Sequence, residues 1–331
     1  MKNLENNIKD KIFSNIYVIF GEEEYLKNLY EKKLTSAIIS DELKMMNFHI
    51  FEGKTINISQ IIDACDTMPF MSQYRLVIIK NSGLLFEGRK DDTTNLEKYL
   101  HNMPKTTIII FIEEKIDKKL KICKTINNIG TFHQMNLSTE SDLINWILNI
   151  FKDNNKNITS KEALYLIRNV SYNMDVLLNE INKLISFKNN NNKITINDID
   201  AICTKSIESK IFELINFMAN KNMDKAIQTY QNLILNKTSP FIILNMIARQ
   251  FRIILQTKYL YNKNYNISSI ASELGLKDFI VKEAIKQSKN FSIKILLQAL
   301  QDCLNIDNKI KTGQAPDELS VELLIIKYTT I

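Results

Sequence analysis

The sequence predicts an α/β domain built on a parallel sheet, followed by two all-α domains. Three observations lead there. Short runs rich in β-branched and aromatic residues alternate with helix-period segments through residues 1–140, and then stop. Those runs are apolar on both faces, as in strands covered by helices on each side. The 331 residues include seven glycines and four prolines, too few turn-formers for a β-sandwich or barrel of this length.

Residues 16–20 (IYVIF) form the first strand, and a helix over about 23–39 follows. Residues 47–53 (NFHIFEG) form the second strand, with a helix at 58–68. Residues 75–81 (RLVIIKN) form the third, with a helix at 95–103. Residues 106–114 (TTIIIFIEE) are the most apolar strand. A helix over 117–130 closes on Gly130 as a C-cap, and 131–137 (TFHQMNL) is the last strand. From residue 141 the pattern is helical. Ser141 is placed as an N-cap, and Thr159 with Glu162 three residues on makes a capping box. Residues 174–187 set Leu177, Ile181, Leu184 and Ile185 on one face. The stretch 188–193 (KNNNNK) reads as a loop, and Thr195 starts another helix. A small helical domain thus spans 141–207. Residues 208–331 hold five or so longer helices, of which 240–261 is apolar nearly all round and reads as the buried centre of a bundle.

Composition narrows the chemistry. A 45% hydrophobic content is enough for full cores. The net charge of +6 is unevenly placed: residues 1–140 and 141–204 are each balanced, whereas 205–331 carry 17 basic against 11 acidic residues. A basic module on a neutral body suits a polyanionic partner, or equally a solvated helical surface. Cys65, Cys123, Cys203 and Cys303 are far apart and the three histidines are scattered, so a metal centre or disulfide framework is not expected. Charged residues interrupt the first segment, so no signal peptide is expected, and no apolar run approaches the roughly 18 residues of a membrane span. These point to a reducing, cytoplasmic setting.

Four stretches are candidates for function. After Gly21 the chain reads Glu-Glu-Glu-Tyr-Leu-Lys, with no second glycine and no Lys-Ser/Thr pair to cradle a phosphate. Three carboxylates there suit a helix N-terminus and repel a nucleotide, so no cofactor is expected. The acids Glu113 and Glu114 read as an exposed strand end. In TMPFMSQYR (67–75), Pro69 ends a helix, and Phe70 and Met71 stand before the polar pair Ser72-Gln73. Two large apolar side chains on a short connector either fold into the core or project into a partner's pocket. Residues 269–288 have helix–Leu-Gly–helix form, as in a DNA-binding helix-turn-helix regulator. The second helix opens with Lys277, Asp278 and Phe279, a poor set for base edges, which favours a plain helical corner. Finally, Lys309 and Lys311 precede Thr312-Gly313, where a glycine-permitted turn could present lysines to phosphate.

In order along the chain, YVIFGEEEYL, MPFMSQYRLVIIKN, EEKIDKKLKICK, DLINWI, LLNEINKLISF, KIFELINFMA, MIARQFRIILQTK, IASELGL and DNKIKTG resemble the delta subunit of the bacterial DNA polymerase III clamp loader. The resemblance implies an AAA+-like first domain without a phosphate-binding loop, then a lid-type domain and a collar domain. It implies binding and opening of the beta sliding clamp without ATP hydrolysis by this chain. Implied partners are the ATPase and delta-prime subunits and primed DNA, with no membrane. The clamp-binding residues implied are Met68, Pro69, Phe70, Met71, Ser72 and Gln73, with Lys309, Lys311 and Thr312 near the DNA backbone. Met71 departs from the commoner phenylalanine or leucine, and Thr312 stands where some relatives carry an aromatic residue.

Overall fold

The computed structural model describes residues 2–86, 90–188 and 192–330. It divides into two compact units, Met1–Leu143 and Ile144–Ile331. The helices of the first unit are α1 (Lys2–Asp10), α2 (Glu24–Ile38), α3 (Lys44–Asn47), α4 (Ile58–Asp66), α5 (Lys90–Leu100) and α6 (Lys121–Ile129). Its strands are β1 (Ile16–Phe20), β2 (Phe48–Glu52), β3 (Arg75–Lys80), β4 (Thr107–Glu113) and β5 (Thr131–Gln134). All pair in parallel, in the order β2-β3-β4-β1-β5.

The inner strands explain the uninterrupted apolar runs. Every residue of β1 and β4 is buried, because parallel strands need crossovers and the crossover helices cover both faces. Their register sets Val18 beside Phe111 and Ile16 beside Ile109. One core layer joins Ile16, Val18, Val77, Ile79, Ile109 and Phe111 to apolar residues of α4, α5 and α6. The edge strands β2 and β5 are less buried, as their sequences suggest.

Two sequence expectations change here. Gly130 does follow α6, but its backbone is extended rather than left-handed. It is required instead because a Cβ there would lie 2.7 Å from the Ile16 carbonyl oxygen. Glu113 is not an exposed strand end. It is buried, and its carboxylate accepts from the Ser82 amide at 2.9 Å and hydroxyl at 2.5 Å, fixing the turn after β3. Partial desolvation raises its pKa, against those hydrogen bonds. The helices α1 and α3 were not foreseen.

The second unit holds α7 (Glu140–Asp153, which begins in the first), α8 (Ser160–Asn169), α9 (Met174–Phe187) and α10 (Ile196–Ile202). It continues with α11 (Ile207–Ala219), α12 (Met223–Leu235), α13 (Pro240–Asn262), α14 (Ile267–Leu274), α15 (Asp278–Ser288), α16 (Ile293–Lys311) and α17 (Asp317–Thr330). The capping box of Thr159 and Glu162 is present, and Thr195 with Asp198 forms a second. Ser141 is not the N-cap of α7 but lies inside it: the Asp142 amide donates to the Thr139 hydroxyl at 3.2 Å and the Thr139 amide to the Asp142 carboxylate at 3.0 Å. Residues 189–191 of the expected loop lie outside the described residues. Helix α13 packs against α11, α14, α15, α16 and α17 and supplies Ile243, Leu244, Ile247, Phe251 and Ile254 to the bundle core. It is not buried all round: one stripe from Ile242 to Tyr259 faces solvent.

His133 on β5 is buried beside the Tyr17 ring, and burial pushes its pKa down to about 4. The unfolded chain takes up a proton as pH falls through about 6.5, while the folded chain resists until about 4. This contribution to stability is complete above pH 6.5 and is lost on acidification toward 4, by at most about 3 kcal/mol. Denaturant titrations at fixed ionic strength should show that loss in the wild type and a flatter profile in His133→Gln.

Candidate functional site

The sheet offers two places for function, at opposite strand ends. At the carboxyl ends lies the junction after β1, where open α/β sheets commonly hold ligands. Gly21 has φ 134°, and a Cβ there would come within 2.1 Å of the Met135 carbonyl oxygen. The glycine therefore serves close approach of the chain after β5. One of the first N–H groups of α2 is already engaged: buried Glu23 is the N-cap and accepts from the Tyr25 amide at 3.3 Å. Lys27, fully buried, reaches Glu24 at 2.7 Å. A cavity of about 460 Å³ at this end is lined by residues that include Glu22, Glu114 and Lys115. Its helix end, which would attract an anion in a nucleotide-binding fold, is filled by the protein's own carboxylate.

At the amino ends of β2 and β3 lies the connector 67–74. Thr67 stops α4, its amide donating to Asp63 O at 3.2 Å and its hydroxyl at 2.8 Å. Phe70 and Met71 then face solvent, 56% and 80% exposed, and Met68 is also exposed. Pro69 and Ser72 are half-buried and Gln73 is exposed. The segment is nonetheless held. Fully buried Asn47, the last residue of α3, accepts from the Phe70 amide at 2.6 Å and donates to the Phe70 carbonyl at 2.8 Å. The Asn47 side-chain Nδ2 also donates to Leu43 O at 3.1 Å. Beyond this pairing Met71 adopts φ 51°, a left-handed conformation costly for a non-glycine residue. The Ser72 hydroxyl donates to Tyr74 O at 3.0 Å. Buried Arg75 donates to the carbonyls of Ala64 and Met46, tying α3, α4 and β3 into one frame.

Asn47 brings α3 beside the connector, and Met45 (93% exposed) and Met46 (59% exposed) belong to that helix. The sequence reading missed them. The usable signal was the Met-Met pair just before the NFHIFEG strand, in a segment too short for periodicity to reveal a helix.

The remaining candidates are placed as follows. Gly275 ends α14 in the left-handed conformation and turns the chain toward α15. The start of α15 is partly engaged: Phe279, half-buried, stacks on Tyr172 at 5.9 Å, Arg168 lies over Phe279, and Lys277 lies over Tyr172, while Lys277 and Asp278 are exposed. A helix-turn-helix reader presents that end to base edges, and here its aromatic side chain is spent on packing within the protein. Lys309 and Lys311 are in the last turn of α16, and Lys311 pairs with Asp307 at 2.8 Å. The Thr312 hydroxyl donates to Asn308 O at 2.8 Å, and Gly313 follows at φ 70°. The four cysteines are free and buried, with burial pushing the Cys65, Cys203 and Cys303 thiols up to about 12 and Cys123 to about 11. None is a poised nucleophile. Among the described residues, no helix is long and apolar enough to cross a membrane.

The fold matches the DNA clamp loader delta protein of Bacillus subtilis with a TM-score of 0.71 at 27% identity, covering 100% of this chain and 99% of that one. A parallel α/β unit followed by helices in this arrangement is the architecture of a clamp-loader subunit. The family description "DNA polymerase III, delta subunit" matches residues 17–136, and "DNA polymerase III delta subunit, C-terminal domain" matches 208–328. The DNA polymerase III subunit delta of Bacillus subtilis strain 168 is 28% identical over 319 residues, 94% of this chain and 92% of that protein. The chain belongs to the DNA polymerase III delta subunit family, as its motif order indicated.

Replacing Asn47 by leucine removes both partners of the part-buried Phe70 amide and carbonyl and should cost about 1–2 kcal/mol. Hydrogen exchange at the Phe70 amide should accelerate with it. Unchanged protection there would show that the connector is held by something other than Asn47.

Proposed function

We propose that this chain binds the beta sliding clamp through the connector between α4 and β3 and stabilises an opened clamp, without hydrolysing ATP. The observation that carries this reading is the exposed Phe70–Met71 pair held by buried Asn47. Apolar groups that stay in water at a structural cost suit a partner's pocket, and prior ordering lowers the entropy lost on docking. Met68, Pro69, Ser72 and Gln73 border the pair, and Met45 and Met46 extend the apolar surface with adaptable thioethers. Opening follows from differential affinity: a surface that fits the clamp better when one ring interface is parted shifts the ring toward that state.

The absence of a phosphate-binding motif after Gly21, together with Glu23 at the head of α2, supports a chain that leaves nucleotide chemistry to neighbours. Those neighbours are the ATPase and delta-prime subunits of a cytoplasmic loader. In this reading residues 1–140 contact the clamp, 141–207 form a lid-type domain, and 208–331 join a collar. Exposed Leu297 and Leu304 on α16 and Leu319 and Leu323 on α17 offer apolar area for such an assembly. Lys309, Lys311 and Thr312 would approach the backbone of primed DNA.

Titration with the cognate clamp tests the reading. Phe70→Ala with Met71→Ala should weaken binding at least about 100-fold, with unchanged circular dichroism because both side chains are solvent-exposed. Met45→Ala with Met46→Ala should weaken it several-fold. Full affinity in the Phe70/Met71 variant would move the contact elsewhere, and no binding by the wild type would overturn the reading.

A further inference from the structure

The excess charge of the last third is concentrated in one segment. From Lys225 to Ser272 there is no aspartate or glutamate, while Lys225, Lys237, Arg249, Arg252, Lys258 and Lys263 supply six cations. The rest of 205–331 carries 11 basic and 11 acidic residues, so this segment holds the entire +6. The neighbourhood of Lys309 and Lys311 is electrically balanced by comparison.

Helix α13 displays part of that charge in order. Asn245, Arg249, Arg252, Gln256, Tyr259 and Lys263 are all exposed and recur at intervals of three and four residues. That spacing puts them on one stripe, about 27 Å long at 1.5 Å per residue. Arg252 pairs with no carboxylate among the described residues. Arg249 meets Glu208 at 3.2 Å, but both side chains are more than half exposed, and such a pair exchanges readily for a phosphate. Lys263 lies 4.4 Å from the centre of the Tyr259 ring. Tyr261 and Tyr265 are half-exposed near the same helix end, so three aromatic rings fall within seven residues beside a cation.

We propose that the outer stripe of α13 binds single-stranded DNA, with Arg249, Arg252 and Lys263 on phosphates and Tyr259 stacked on a base. Cations alone would serve a duplex equally, but a duplex keeps its bases stacked inside and gives an exposed tyrosine nothing to cover. A single strand offers free base faces, and stacking of this kind tolerates any sequence. The clamp-loader reading enters only as the source of the strand, the template beyond a primer end. The contact itself is a property of this surface.

Anisotropy of a labelled 20-nucleotide oligothymidylate with the full chain, between 50 and 200 mM salt, tests it. Three phosphate contacts predict a slope of about −2 in log affinity against log salt. Arg252→Glu with Lys263→Glu should lower affinity at least tenfold and flatten the slope. Arg252→Gln with Lys263→Gln provides the same test with a milder change if the charge reversal impairs folding. Tyr259→Ala should lower affinity about fivefold or more, with Tyr259→Phe near wild type. The inference is overturned if these variants bind as the wild type does, or if Lys309→Ala with Lys311→Ala removes the binding instead. It is also overturned if a hairpin duplex binds more tightly and Tyr259→Ala changes nothing. Clamp titrations on the same samples separate the two readings. A wild type that binds oligothymidylate and no clamp sinks the clamp-binding reading alone, and one that binds clamp and no oligothymidylate sinks this inference alone.

Discussion

The first unit depends on how closely β5 can lie against β1. Two glycines bracket that pairing. Gly130, at the head of β5, passes the Ile16 carbonyl at a distance no side chain permits, and Gly21, at the tail of β1, does the same for Met135. Between them the register runs from Tyr17 beside Thr131 to Phe20 beside Gln134. With β5 seated, the Met135 carbonyl receives the Glu23 amide at 3.1 Å, which fixes the entry to α2. The turn at Gly21, the buried carboxylate of Glu23 and the burial of Lys27 belong to one arrangement. Together they place the protein's own carboxylates at the end of the sheet where a phosphate-binding fold would set its ligand.

The proposed contact surface lies at the other end of the sheet. Asn47 stands directly before β2 and the connector directly before β3, and these strands are neighbours. One buried amide can therefore grip the backbone of a segment distant in sequence. Its hydrogen bonds go to main chain, so the exposed side chains at 70 and 71 are free to be chosen for a partner. Scaffold and contact surface are specified by different residues, an arrangement that suits a preorganised hot spot.

Much of this was legible beforehand, for identifiable reasons. The strands were readable because covered parallel strands need no polar alternation, and IYVIF and TIIIF cannot be mistaken for amphipathic helix. Helices with capping boxes or strong apolar periodicity were equally plain. The short α3 and the polar α1 carry neither signal. Glu113 was misread because a strand-end acid looks the same whether solvent or a turn receives it; only the neighbouring Ser82 distinguishes them. Phe70 and Met71 could be flagged but not placed from local pattern alone, since their position depends on Asn47, 23 residues earlier. The stripe on α13 was hidden because an interior helix of a bundle is apolar on most sides, and its outer residues become visible as a set only once the other faces are packed.

The closed junction after β1 also sets a direction for evolutionary change. Building a phosphate-binding loop there would require more than inserting a glycine and a lysine. Strand β5 would have to withdraw from Gly21, Glu23 would have to leave the head of α2, and Lys27 would need a new counter-charge. Each step alone exposes core or strands a buried charge, so intermediates are less stable than either endpoint. The junction therefore behaves as a ratchet. The packing of one edge strand thus constrains what the head of α2 can become.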